Sequence, residues 1–315
     1  MKAMKKLNEK DIIKIFQKKK FIPEDVEIFH LGNQMCASNI DTLVESTDVP
    51  PKSNFIDIAR KSIVSSVSDF AAKGIIPKFC MISVTIPKKI SKKHVIELSI
   101  GFKKACKEFS LEFLGGDTNA GKEIVISVVL FGKAEKIVPR SGAKNGDVIL
   151  TTGPFGYTSS ALEILLKKKK STLRFRNLAK TRFFHPNPRL EFGILCKHLL
   201  TSSIDSSDGL SACLQELSFN SKKRFVITEF PVKDDVKDFV KTNRLDLKDI
   251  VFNGGEEFEL VCTTPSKNLE KVKKIAKKLK ISLYEIGFVT KGKHLVLENN
   301  GKQHRITDSG WSHFS

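Results

Sequence analysis

Five short acidic clusters mark where this chain could do chemistry: Ser46-Thr47-Asp48, Ser68-Asp69, Gly115-Gly116-Asp117, Asp205-Ser206-Ser207-Asp208-Gly209 and Gly254-Gly255-Glu256-Glu257. Each sets a carboxylate beside small residues near the end of an expected element. Hard cations such as Mg²⁺ take oxygen ligands, and a few carboxylates with phosphate oxygens make a nucleotide–metal site. Glycine pairs let the backbone approach a phosphate closely. Singly, each cluster has a plainer reading as a turn, a helix cap or a solvated face, and Gly115-Gly116-Asp117 reads as a turn after a short strand. Asp205 and Asp208, three apart across a strand-to-helix junction, are able to address one point. Jointly the five clusters point to a metal–phosphate site.

No spacing suggests a Ser-His-Asp or Cys-His nucleophile. Phosphoryl transfer needs none, because positioning and charge neutralisation carry it. An acceptor that is itself a phosphate is already anionic at pH 7, and Arg140 with metal-binding acids meets its demand for positive charge. The nucleotide fingerprints GxGxxG and GxxxxGK[ST] are both missing, so neither a Rossmann nor a P-loop site is expected.

Alternating elements must hold these acids. The pattern predicts a helix from about Asn8 with Ile12, Ile13 and Phe16 as its apolar stripe, a strand over 41–48, and a helix over 57–73 ended by Gly74. On that helix Ala59, Ile63, Val67, Phe70 and Ala71 form the apolar face, and Asp69 shares another with Ser62, Ser65 and Ser66. Strands follow at 79–86, 111–114 and 123–132, with a helix at 91–109 among them. A polar stretch at 140–147 separates the halves. The second half reads as strands at 148–152, 225–230, 258–263 and 282–289, helices at 156–166, 188–199, 209–218 and 267–279, and a hairpin at 298–301. The result is a two-part mixed α/β chain that is not doubly wound.

Composition limits the remaining possibilities. At 315 residues, 40% hydrophobic and 28% charged, the chain is globular and long enough for two ordinary domains. Its 54 Lys+Arg against 35 Asp+Glu leave a net charge of +19, a surplus that favours anionic partners. The lysine clusters are not interleaved with aromatics and carry no nucleic-acid motif, so they read as solvated surface. The apolar run 124–131 is too short to cross a bilayer. Met1–Lys6 is basic but is not followed by the apolar core of a signal peptide. Six scattered cysteines without a CxxC pair read as reduced thiols of a cytoplasmic protein.

In order and interval the motifs resemble the thiamine-monophosphate kinase family of the aminoimidazole-ribonucleotide-synthetase superfamily. The matching pieces are Ser46-Thr47-Asp48, Ser68-Asp69-Phe-Ala-Ala-Lys-Gly74, Leu114-Gly-Gly-Asp117-Thr118, Arg140-Ser-Gly-Ala-Lys-Asn-Gly-Asp147, Thr152-Gly-Pro-Phe-Gly156, His185-Pro-Asn-Pro-Arg189, Ile204-Asp-Ser-Ser-Asp-Gly-Leu210, Gly254-Gly-Glu-Glu-Phe-Glu-Leu260 and Gly310-Trp-Ser-His-Phe314. The resemblance implies an α+β chain of two domains: residues 1–138 as an ATP- and Mg²⁺-binding domain whose sheet pairs in a homodimer, and residues 139–315 as an α/β C-terminal domain. It implies ATP- and Mg²⁺-dependent phosphorylation of thiamine monophosphate to thiamine diphosphate. Thr47, Asp48, Asp69, Asp117, Asp205 and Asp208 would be metal ligands, Gly116, Asp117, Arg140 and Ser207 would touch ATP, and Glu256 and Trp311 would meet thiamine.

Two departures from the family are visible. A Gly-Asp-Asp-x-Ala segment, whose second Asp binds metal, is matched here to Gly32-Asn33-Gln34-Met35-Cys36-Ala37, which has no acid and implies a weakened metal site. The loop after Ser46-Thr47-Asp48 lacks the family's substrate-touching His, leaving Lys52 as a candidate phosphate contact. The competing readings are a sibling synthetase-like enzyme that uses MgATP on another small acceptor, and a silent nucleotide- or nucleic-acid-binding protein.

Overall fold

Asn54 opens the longest helix by accepting from the N–H groups of Ile56 and Asp57, and Gly74, at φ 68°, closes it in the left-handed conformation. This helix, Phe55–Lys73, lies against a five-stranded sheet and buries Ile63, Val67 and Phe70 with Ile126, Val128 and Leu130. In the computed structural model, residues 24–50, 53–299 and 302–306 are described, with Ile12, Ile15 and Phe16. Those three are helical; the rest of the expected first helix, Lys52 and Trp311 lie outside the described residues.

The strands of the first sheet are β1 (Glu27–Leu31), β2 (Gln34–Val44), β3 (Ile76–Pro87), β4 (Glu112–Gly121) and β5 (Val125–Lys133), ordered β1-β2-β5-β3-β4. Only β3 and β4 pair in parallel, and helix Lys92–Glu108 makes their crossover. The seven strands of the second sheet are β6 (Asp147–Thr151), β7 (Ser202–Asp205), β8 (Arg224–Ile227), β9 (Leu260–Pro265), β10 (Tyr284–Thr290), β11 (Leu295–Asn299) and β12 (Lys302–Arg305), ordered β12-β11-β8-β10-β6-β9-β7. Helices Tyr157–Lys167, Leu173–Phe184, Leu190–Cys196, Leu210–Ser221, Asp234–Asn243, Leu247–Phe252 and Leu269–Lys278 surround it. The mixed α/β architecture in two parts is as the sequence leads one to expect.

Three expectations are corrected. The strand through Ser46-Thr47-Asp48 stops at Val44, and Glu45–Asp48 forms a helical turn. Side chains cause it: Glu45 accepts from Ile124 N and Asp48 accepts from Val44 N, so local bonds displace the ladder. Gly115-Gly116-Asp117 is no turn; β4 runs through it to Gly121. A Cβ on Gly116 would lie 1.7 Å from Ile82 O, so only glycine allows this strand approach. Finally, helices 173–184, 234–243 and 247–252 are absent from the sequence reading. Their apolar stripes are short, as in Phe175, Ala179 and Phe183, and lie among many charges.

Candidate functional site

Four segments converge on one group of carboxylates. Asp25 precedes β1, Asp41 lies on β2, Asp69 on helix 55–73 and Asp205 at the end of β7. Carboxylate oxygens of Asp25, Asp69 and Asp205 all lie within 4.8 Å of one another. On β2, Asn39 and Asp41 alternate onto the helix-facing side, and Asn39 Nδ2 donates to Asp69 Oδ2 at 2.8 Å, to Ser66 O at 3.0 Å and to Asp41 Oδ2 at 3.3 Å. Asp205 Oδ2 is buried without a hydrogen bond.

The electrostatics follow from this crowding. Burial raises the Asp69 carboxyl well above the usual range, and the charges of Asp41, Asp205 and Asp25 raise it further. Burial likewise pushes Asp205 up to about 8, helped by Asp25, Asp41 and Asp208. Asp41 is raised by burial. Burial also works against the charge of Asp25, yet Lys73 and Arg140 overcome it and hold that carboxyl below its ordinary value. Lys73 Nζ lies 2.6 Å from Asp25 Oδ2, 2.5 Å from Glu24 Oε2 and 3.1 Å from Ser203 O. Arg140 pairs with Asp25, and its backbone N–H donates to Glu24. The raised carboxyls of Asp69 and Asp205 and the unsatisfied buried oxygen of Asp205, beside the ionised Asp25, suit a hard divalent cation, which relieves these costs together.

Two of the acidic motifs are clamped side by side. Ser207 O accepts from Glu256 N at 2.7 Å, and Ser206 Oγ accepts from Glu259 N at 2.9 Å. A Cβ on Gly255 would stand 2.4 Å from Ser207 O, so the contact requires glycine. Ser207 and Asp208 are exposed at the rim. Glu256 extends to Lys61 Nζ at 2.6 Å, while Glu257 accepts from Gly156 N and Thr158 N and burial raises its carboxyl to about 7. Glu259 pairs with Arg189 and accepts from Thr152 Oγ1.

The structure therefore brings Asp69, Asp205 and Arg140 together, with Asp208 close enough to act on Asp205. It does not bring Thr47, Asp48 or Asp117 into the group of meeting carboxylates. Thr47 Oγ1 donates to Val44 O, Asp48 accepts from Val44 N, and Asp117 is exposed on β4, accepting from Asn119. The sequence reading missed Asp25, Asp41 and Lys73. Asn33 and Gln34 lie at the β1–β2 hairpin, where Leu31 pairs with Gln34, so the acid-free stretch is no gap in the cluster. The acids ahead of β1 are Glu24 and Asp25, and Asp25 is the one that meets Asp69 and Asp205; with no strand expected at 27–31, nothing local in the sequence marked it.

The fold and this acid cluster define the class. Residues 23–134 match the AIR synthase related protein N-terminal domain, and residues 144–299 match its C-terminal domain. The chain is 50% identical over 313 residues to the thiamine-monophosphate kinase of Nitrosopumilus maritimus, covering 99% of this chain and 100% of that one. It is 31% identical over 315 residues to the thiamine-monophosphate kinase of Pyrococcus horikoshii, covering 98% and 97%. A solved structure described as AaThiL complexed with AMPPCP and TMP superposes with a TM-score of 0.88 at 27% identity, covering 100% of this chain and 99% of that one. The chain thus belongs to the AIR synthase related proteins and, within them, to the thiamine-monophosphate kinase family.

Proposed function

We propose that this chain transfers the terminal phosphoryl group of ATP to thiamine monophosphate, forming thiamine diphosphate. The observation that carries the reading is the meeting of Asp25, Asp69 and Asp205 within 4.8 Å in a chain half identical to a thiamine-monophosphate kinase along its whole length. The acceptor phosphate oxygen attacks phosphorus, the bond to the leaving ADP oxygen breaks, and no side chain becomes covalently attached. Mg²⁺, held by Asp25, Asp69 and Asp205 with Asp41 and Asp208 beside them, would offset the charge of converging phosphates.

The chain's own residues do the rest. Arg140 and Lys73 fix Asp25; Gly116, Asp117, Arg140 and Ser207 are assigned to ATP, and Glu256 and Trp311 to thiamine. Thr47, Asp48 and Asp117 remain assigned as metal ligands. We place the division between domains at 138/139, between the last strand of the first sheet and the first strand of the second.

A homodimer formed through the open face of the first sheet completes the reading. Ile40, Val129 and Met81 align across β2, β5 and β3, with Ile40 66% and Met81 40% exposed. Phe113 and Leu114 on the edge strand are also exposed, and such an apolar surface is what a second copy buries. Cytoplasmic action fits six free cysteines, five of them buried; among the described residues no helix is long and apolar enough to cross a membrane.

The test is product formation from thiamine monophosphate and ATP by purified protein, with and without Mg²⁺. Thiamine diphosphate that vanishes on chelation supports the reading. ATP binding without this product discards the acceptor.

A further inference from the structure

Helix Phe55–Lys73 carries Lys61, Ser65, Asp69 and Lys73 at four-residue spacing, a stripe that winds round the helix by about 40° per step. Asp69 and Lys73 belong to the acid cluster. Lys61 lies eight residues before Asp69, about 12 Å along the axis at 1.5 Å per residue. Its side chain is only 7% exposed. Its ammonium lies 2.6 Å from Glu256 Oε1 and 4.1 Å from the centroid of the Phe183 ring. Burying an ammonium is costly unless it is paired, and an ion pair of this kind fixes geometry more than it adds stability.

What it fixes is Glu256. That residue sits at φ 65°, in the left-handed region that non-glycine residues occupy only when held there. Its N–H is held by Ser207 O at 2.7 Å, and its carboxylate is held by Lys61. Lys61 also lines a cleft with Asp48, Asp57, Phe183 and Phe184.

Building on the proposed function, we propose that Lys61 is a positioning residue for the acceptor, holding the Glu256 carboxylate 2.6 Å from its ammonium so that Glu256 meets the heteroaromatic end while the phosphate end reaches the acid cluster. The two ends are then separated along one helix, as an extended heteroaromatic phosphate ester requires. ATP, whose phosphates are the part addressed by the acids, does not depend on Lys61.

Steady-state kinetics of the full chain test this. Lys61→Met should raise KM for thiamine monophosphate about tenfold, with KM for ATP changed less than about twofold, and Lys61→Arg should recover most of the loss. Glu256→Gln should act in the same direction, and the double variant should be no worse than Glu256→Gln alone. An unmoved KM for thiamine monophosphate, an equal rise in both KM values, or losses that multiply in the double variant overturns the proposal. If Lys61→Met does not fold, Lys61→Gln carries the same comparison. Wild-type protein separates the two readings: absence of thiamine diphosphate from it overturns the function, whereas normal wild-type turnover with indifferent Lys61 variants overturns this inference alone.

Discussion

Lys73 Nζ stands 2.6 Å from Asp25 Oδ2, and neither side chain has any exposed surface. The pair joins the end of the long helix to the segment ahead of the first strand, and Ser203 O adds the edge of the second sheet. Lys73→Met leaves Glu24 and Asp25 without their shared ammonium, with Arg140 alone still paired to Asp25. The expected cost is about 3–5 kcal/mol, the usual consequence of orphaning a buried charge. Urea unfolding would measure it, and a loss near zero would mean that the segment carrying Asp25 leaves its place readily.

Raised carboxyls give the metal-free protein a definite pH dependence. Asp205, up to about 8, and Asp69, also raised, keep protons in the folded state that the unfolded chain releases near pH 4. Between about pH 4 and 8 Asp205 therefore holds a proton in the folded state only, and stability falls as pH rises, by up to about 1.4 kcal/mol per pH unit, with Asp69 acting in the same direction. Asp25, held below its ordinary value, works in the opposite sense and only at lower pH. Thermal unfolding in chelator should show Tm higher at pH 6 than at pH 8, and Mg²⁺ should raise the pH 8 value and release protons. A flat Tm across this window would contradict the crowding of these acids.

Function and stability should separate at Asp205. Asp205→Asn removes one of the mutually repelling carboxylates, so the metal-free protein should gain a few degrees in Tm. Turnover should fall about a hundredfold or more, as when a charge-stabilising group is lost. Near-normal activity in this variant would remove Asp205 from the metal site.

Gly116 tests the strand approach. Gly116→Ala puts a Cβ 1.7 Å from Ile82 O, which forces β4 away from β3. Destabilisation of about 2–3 kcal/mol is expected from such a backbone clash, read by denaturant midpoint. Unchanged stability would mean that the two strands adjust at little cost.

Much of this protein is legible in its sequence. Helix 55–73 is written in Asn54, Gly74 and the stripe of Ile63, Val67 and Phe70, because caps and periodicity are local properties. Asp69, Asp205 and Glu256 stand out through small neighbours, and the ordered motifs identify the family. Other features needed the tertiary structure. Asp25 has no sequence neighbour among the acids it joins, and only the turn into β1 and the pull of Lys73 and Arg140 bring it there. Gly115-Gly116-Asp117 looks like a turn until Ile82 is placed beside it. Lys61 is one lysine in a strongly basic chain, and its meeting with Glu256, 195 positions away, exists only where the long helix faces the loop of the second half. Sequence determines which groups are available and how each element is wound. Which charges share a site is decided by packing, since burial and proximity across distant segments set both their protonation and their partners.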